Sequence, residues 1–226
     1  MTEVEIETHG DEPVEHATVR RHAERGRYHA ETVNAILDEG MICHVGFVWD
    51  GRPVVIPTSF ARVGDVLYLH GSPASRMLRT LGDGIDCCVT VTLVDGLVLA
   101  RSAFSHSMNY RSVVLFGHAR PVGALGEKAT ALDAFVEHII AGRAAHLRPT
   151  TEKELRATLV LALPIEAASA KVRSGPPLDD EEDYGLPIWA GVLPYAPAAG
   201  EPEADPRLHA GLATPDHVLD YRRPPG

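Results

Sequence analysis

MICHVGFVWDGRPVVIPTSF, residues 41–60, holds the strongest β signal in the chain. Asp50-Gly51 favours the positive φ angles of a tight hairpin turn, and the stretches on either side read as its two strands. Upstream, Val33, Ile36 and Leu37 share one face of a helix over about Tyr28 to Glu39, and Gly40 stands where such a helix stops. Downstream, Gly64-Asp65 turns the chain into a strand at VLYLH, residues 66–70. A short helix is expected over 73–81. DCCVTVTLV then meets a second Asp-Gly pair at 95–96, with LVLARSA returning along it as a hairpin partner. RSVVLFGHARPV, residues 111–122, is a further strand, with Gly117 as a candidate bulge.

The longest expected helix covers 127–141, where Leu132, Phe135, Val136, Ile139 and Ile140 make an apolar stripe. Thr151 and Glu154 have the spacing of a capping box. ATLVLALPIEAASAKV, 157–172, reads as one long strand bent at Pro164. The acidic run Asp179 to Asp183 reads as part of a solvated loop, and IWAGVLPY, 188–195, as a last strand. The pattern is mainly β with peripheral helices: an antiparallel, Greek-key-like barrel rather than a doubly wound sheet. Residues 1–25 are expected to be a flexible lead-in, 26–195 the domain, and 196–226 a Pro- and Ala-rich tail.

The chain has 226 residues, 45% of them hydrophobic, and a formal net charge of −10. That is enough apolar material for a core, and the charge argues against general nucleic-acid binding and against adsorption to anionic lipid. Three cysteines without a C-x-x-C pair read as reduced thiols of a cytoplasmic protein. No apolar run approaches the roughly 20 residues that span a membrane, and the acidic N-terminus has no signal-peptide pattern. No metal-ligand spacing stands out among the histidines.

Two stretches are dense in chemistry. LYLHGSPASRM, 67–77, passes from strand to helix through His70, Gly71, Ser72, Ser75 and Arg76. Pro73 or Ala74 suits a first helical position with Ser72 as N-cap, and the free N–H groups, a hydroxyl and a guanidinium together suit a phosphate. An ordinary capped helix with an exposed arginine fits the same residues. From Arg76 to Arg120 five arginines face three aspartates, so positive charge gathers in this third of the chain. SHSMNYRSV, 105–113, interrupts two strands with Asn109, Tyr110, Arg111 and Ser112, either as a plain hairpin loop or as donors for a ring edge or an anion. Trp189 has Gly191 close by, which leaves room beside a large ring.

VIPTSF, LYLHGSPASRM, HSMNYRSVVLFGHA and PIWAGVLP, in this order and spacing, resemble the FMN-binding split-barrel superfamily of pyridoxamine 5'-phosphate oxidase-like proteins. The closer likeness is to its flavin-nucleotide-binding, nitroimidazole-resistance-like branch. The likeness runs from about residue 20 to about 195. It implies a homodimer with FMN at the subunit interface and an oxidoreductase acting on a small electrophile such as a nitro compound or quinone. It implies that Val55, Ile56, Pro57 and Thr58 lie along the flavin ring, that His70 to Met77 hold ribityl and phosphate with Ser75 and Arg76 as ligands, and that Asn109, Tyr110, Arg111, Ser112 and Trp189 close the site. His70 is then the candidate catalytic group, able to supply a proton near neutral pH. Met77 stands where the oxidase proper has a basic residue, and that enzyme's C-terminal substrate signature is missing. Other readings are a flavin carrier or sensor without turnover, or the same barrel holding a deazaflavin or haem, the last through a histidine ligand.

Overall fold

The computed structural model describes residues 15–221. Two antiparallel sheets enclose the main core. The larger has seven strands: β1 (Gly26–Arg27), β2 (Ile42–Trp49), β3 (Arg52–Ser59), β6 (Asp86–Leu99), β7 (Ser107–His118), β10 (Ala167–Arg173) and β11 (Gly191–Pro194). Their order is β1-β10-β7-β6-β2-β3, with β11 added beside β6. The smaller sheet, in the order β4-β5-β9-β8, contains β4 (Ala61–Val63), β5 (Val66–Gly71), β8 (Arg120–Pro121) and β9 (Leu159–Pro164). The sheets do not close into one cylinder, which is the split-barrel form the sequence led one to expect.

Helix α1 (Ala30–Glu39) buries Val33, Ile36 and Leu37 in that core, with Val45, Val89, Val113 and Leu115 of the large sheet and Leu67, Leu69, Leu161 and Leu163 of the small one. α2 (Arg76–Gly82) adds Met77, Leu78 and Leu81. α3 (Leu125–Ile139) covers the other face of the small sheet, setting Ala131 and Phe135 against Tyr68, Val160 and Ala162. Of its expected stripe only Phe135 is fully buried, and Ile139 faces outward. α4 (Glu152–Ala157) starts with the Thr151–Glu154 capping box read from the sequence.

Several local expectations give way to long-range pairing. Asp50 and Gly51 take φ of 51° and 69° and make the expected hairpin turn. Asp95-Gly96 does not turn: β6 runs straight through it, and the pair forms a bulge in the ladder with β7. Along its other edge β6 pairs first with β2 and then, past the bulge, with β11, so neighbours on both sides hold the strand extended. Gly96 is buried, and an added Cβ would lie 3.0 Å from Val192. Gly117 pairs in register with Cys87 and makes no bulge. Residues 107–112 belong to β7, so only the preceding residues form the turn. The stretch bent at Pro164 is two strands, β9 and β10, one in each sheet.

Of the expected flexible lead-in, residues 1–14 lie outside the described part. Residues 15–25 contain two 3-10 turns, Glu15–Ala17 and Ala23–Arg25, with Ala17 buried and the His16 ring edge-on to Phe116 at 4.9 Å. The tail ends its described part in α5 (Asp216–Leu219), where His217 stacks on His146 at 4.6 Å. Among the described residues, no helix is long and apolar enough to cross a membrane.

Candidate functional site

Among the described residues β3 pairs only with β2, which leaves its other edge open. Pro53 and Pro57 fit such an edge, since neither has an N–H to leave unpaired. Ile56 packs against the core while Val55 is 64% exposed and Pro57 exposed, so this strand offers free main-chain groups beside an apolar outer face.

At the β5–α2 junction the alternation is as expected: Leu67 and Leu69 enter the main core, and Tyr68 lies on the α3 side, as does His70. The His70 ring meets Phe135 at 4.0 Å. Its Nδ1 is buried and, among the described residues, has no hydrogen-bond partner. Burial pushes its pKa below the ordinary histidine value, so the ring is a neutral base at pH 7. Gly71 lets the backbone pass close to α2, since a Cβ there would stand 3.1 Å from Leu78.

The helix begins later than expected. Ser75, not Ser72, is the N-cap, and its Oγ accepts from the Leu78 N–H at 3.4 Å. Ser72 instead closes a turn, its Oγ accepting from the Ala74 N–H at 3.1 Å. Burial of Leu78 and Leu81 sets the helical phase, and the first turn follows from it. Met77 turns its side chain into the core at 6% exposure, so only its main chain is available to a ligand. Arg76 points outward, its guanidinium carbon 4.3 Å above the Trp49 ring.

The concentration of positive charge resolves into pairs. Arg101 donates to Asp179 from both its main-chain N and its guanidinium, and Arg120 pairs with Glu127. Asp179 is thereby withdrawn from the supposedly solvated acidic run: its side chain has no exposed surface. Arg111 was expected to meet a phosphate or a polarised carbonyl. Its fork is instead taken by Asp95 and Glu39, which raise its pKa further, Asp95 foremost. Among the described residues, Arg76 and Arg79 are left without an ion pair.

Asn109 is likewise engaged internally. Its Nδ2 donates to the Gly175 carbonyl at 3.2 Å, and its Oδ1 accepts from Arg173. Tyr110 and Ser112 are half-buried on β7, the latter donating to the Lys171 carbonyl at 3.4 Å. Trp189 is 69% exposed rather than core, and its ring lies 3.0 Å from where a Gly191 Cβ would stand. The structure thus brings Arg76 of the β5–α2 junction to Trp49, the register partner of Arg52 at the start of β3. It leaves Arg111 and Asn109 bound within the β6–β7 end.

Trp49 was missed from the sequence as a site residue. The available signal was a large aromatic at the last strand position before a tight turn, where burial is hard to achieve. No group of histidine, cysteine, aspartate or glutamate side chains among the described residues could hold a metal ion.

A solved structure of the flavocytochrome Anf3 from Azotobacter vinelandii is 46% identical, over 94% of this chain and 99% of that one, with a TM-score of 0.87. The FAD and heme binding protein from Mycobacterium smegmatis is 41% identical over 87% of this chain and 96% of that one, with a TM-score of 0.83. A candidate 5-nitroimidazole antibiotic resistance protein from Bacteroides thetaiotaomicron shares 25% identity over 65% of this chain and 86% of that one, with a TM-score of 0.54. A search of curated protein sequences found no match. The family model described as pyridoxamine 5'-phosphate oxidase matches residues 29–172, well over half of the sequence. Family model and fold agree, and the chain belongs to the pyridoxamine 5'-phosphate oxidase family.

Proposed function

We propose that this protein binds a flavin nucleotide and works as a flavin-dependent oxidoreductase on a small electrophile. The observation that carries this reading is Arg76, without an ion pair among the described residues and stacked on Trp49 at the end of β2. A guanidinium held against an aromatic face keeps its charge and its fork while losing little freedom on binding. The β3 main chain offers unpaired donors and acceptors for the edge of the isoalloxazine, over residues 55–58. The flavin supplies the redox chemistry, and the chain supplies orientation, electronics and access. His70, a neutral ring at pH 7, is the candidate catalytic group as a proton acceptor, and Arg76 with Ser75 the candidate phosphate ligands.

The reading includes a homodimer. Met108, Leu97 and Leu193 are cross-strand neighbours on β7, β6 and β11, and all three are exposed, at 52%, 38% and 55%. An apolar row of this kind across three strands suits burial against a second copy. Light scattering should give twice the chain mass.

Haem beside the flavin is the second reading. It is favoured by the flavocytochrome and the FAD and heme binding protein, and by the unpartnered Nδ1 of His70, since a neutral imidazole nitrogen without a partner is the form that ligates iron. The first experiment is titration of the protein with FMN and FAD, wild type against Arg76→Ala. Loss of affinity in the variant supports the reading. Equal affinity removes the phosphate from Arg76.

A further inference from the structure

Arg173, the last residue of β10, is only 7% exposed, and among the described residues no carboxylate pairs with it. Its guanidinium donates to neutral oxygens instead. Nη1 donates to Asn109 Oδ1 and to the Gly175 carbonyl at 3.4 Å, and Nη2 to the Pro176 carbonyl at 3.3 Å. A guanidinium has five N–H groups and stays charged in a protein. These three bonds leave one N–H on Nε and one on Nη2, the two donors with which an arginine grips a carboxylate or phosphate. Buried charge is ordinarily balanced by an opposite charge. Here the charged neighbour is Arg25, and burial followed by the Arg25 charge pushes the Arg173 pKa below the ordinary arginine value. We propose that Arg173 and Arg25 form a binding site for the carboxylate or phosphate group of a small anionic ligand, separate from the flavin site.

The surroundings fit an anion. Arg25 ends the 3-10 turn Ala23–Arg25, which packs on β10, and its side chain is 24% exposed. Its ion pair is a 3.6 Å contact from Nε to the exposed Glu24, which leaves its Nη groups free among the described residues. Tyr110 is the cross-strand partner of Arg173 and sets a phenol beside it. Arg27 and Lys171, on β1 and β10, add positive charge along the same edge and donate to main-chain carbonyls rather than to carboxylates. The sealed polar atoms without a partner belong, among the described residues, to His70, Arg101 and His217, so the free N–H groups of Arg173 keep an opening to the outside. An anion held there would tie the Ala23–Arg25 turn to β10.

The site lies far from Arg76 and Trp49. Arg173 pairs with Tyr110 and Tyr110 with Val94, whereas Phe47, near the Trp49 end of β2, pairs with Cys87. From Cys87 to Val94 along β6 is about 23 Å at about 3.3 Å per residue.

The test is calorimetric titration of the full-length chain with inorganic phosphate and with acetate at pH 7 and constant ionic strength. Every sample carries Arg76→Ala, so that phosphate held by that arginine does not count. This chain should take up at least one of the two anions. Adding Arg25→Gln should weaken that uptake by about tenfold, the size of one charge-assisted contact, and adding Arg173→Gln should abolish it. If the Arg173→Gln chain does not fold, the Arg25→Gln chain decides, since Arg25 holds no buried partner. Uptake of neither anion overturns the site. Uptake that Arg25→Gln leaves unchanged also overturns it and marks an adventitious ion only. Both results leave the flavin reading untouched, because the site makes no use of the flavin.

Discussion

Replacing Arg111 by methionine separates a structural arginine from a ligand-binding one. The Arg111 fork joins Glu39, at the end of α1, to Asp95, in the β6 bulge. Arg111, Glu39 and Asp95 have side-chain exposures of 20%, 16% and 33%, so the group is neither fully buried nor fully solvated. Breaking a buried pair on one side costs about 3–5 kcal/mol, and losing an exposed pair about 0–1 kcal/mol. This triad lies between those limits, and methionine keeps most of the stem packing, so the expected loss is about 2 kcal/mol. For a chain of this size that lowers the melting temperature by about 4–8 °C. Urea unfolding followed by circular dichroism should show a lower midpoint with an unchanged slope. Glu39→Gln should cost less alone, and the double variant less than the sum of the two, because they share one interaction. Flavin affinity of the folded variant should match wild type. A variant that unfolds like wild type but has lost flavin binding would refute the assignment and return Arg111 to the cofactor.

Arg76→Ala should weaken flavin binding by about 1.5–3 kcal/mol, one charged hydrogen bond, as read by calorimetry. His70 adds a pH dependence. Its folded pKa is depressed by burial, so below about 6.5 the unfolded chain takes up a proton that the folded chain resists, and stability falls as the pH drops through that value. Urea midpoints between about pH 7.5 and 5.5 should fall less for His70→Gln than for wild type, and equal slopes would remove His70 from the account. Gly40→Ala should cost about 1–3 kcal/mol in the same assay, because the new Cβ would stand 2.3 Å from Val91 Cγ1; an unchanged midpoint would show that α1 can shift away from β6.

The sequence carried local geometry well where one residue decides it, and less well where partners decide it. Asp50-Gly51 and Asp95-Gly96 are the same dipeptide. The first turns because nothing holds its flanks apart; the second is drawn straight by β7 on one side and by β2 and β11 on the other. Ser72 and Ser75 are equally good caps by residue type, and only the burial of Leu78 and Leu81 chooses between them. The Thr151–Glu154 box needed no distant partner and was legible in full. At the candidate site, the passage from strand to helix ahead of Arg76 could be read because the motif is local. The engagement of Arg111 could not, because Glu39 is 72 residues away in sequence. The nearness of Trp49 to Arg76 was hidden for the same reason, since it depends on how β2 and α2 meet across the fold.

The claim beneath all of this is that the protein holds a flavin through Arg76 and the β3 edge. The visible absorption spectrum of the purified full-length protein, recorded before and after adding FAD and FMN and removing the excess, tests it most directly. The account predicts retained flavin bands that Arg76→Ala diminishes. A colourless protein that retains neither flavin would contradict it.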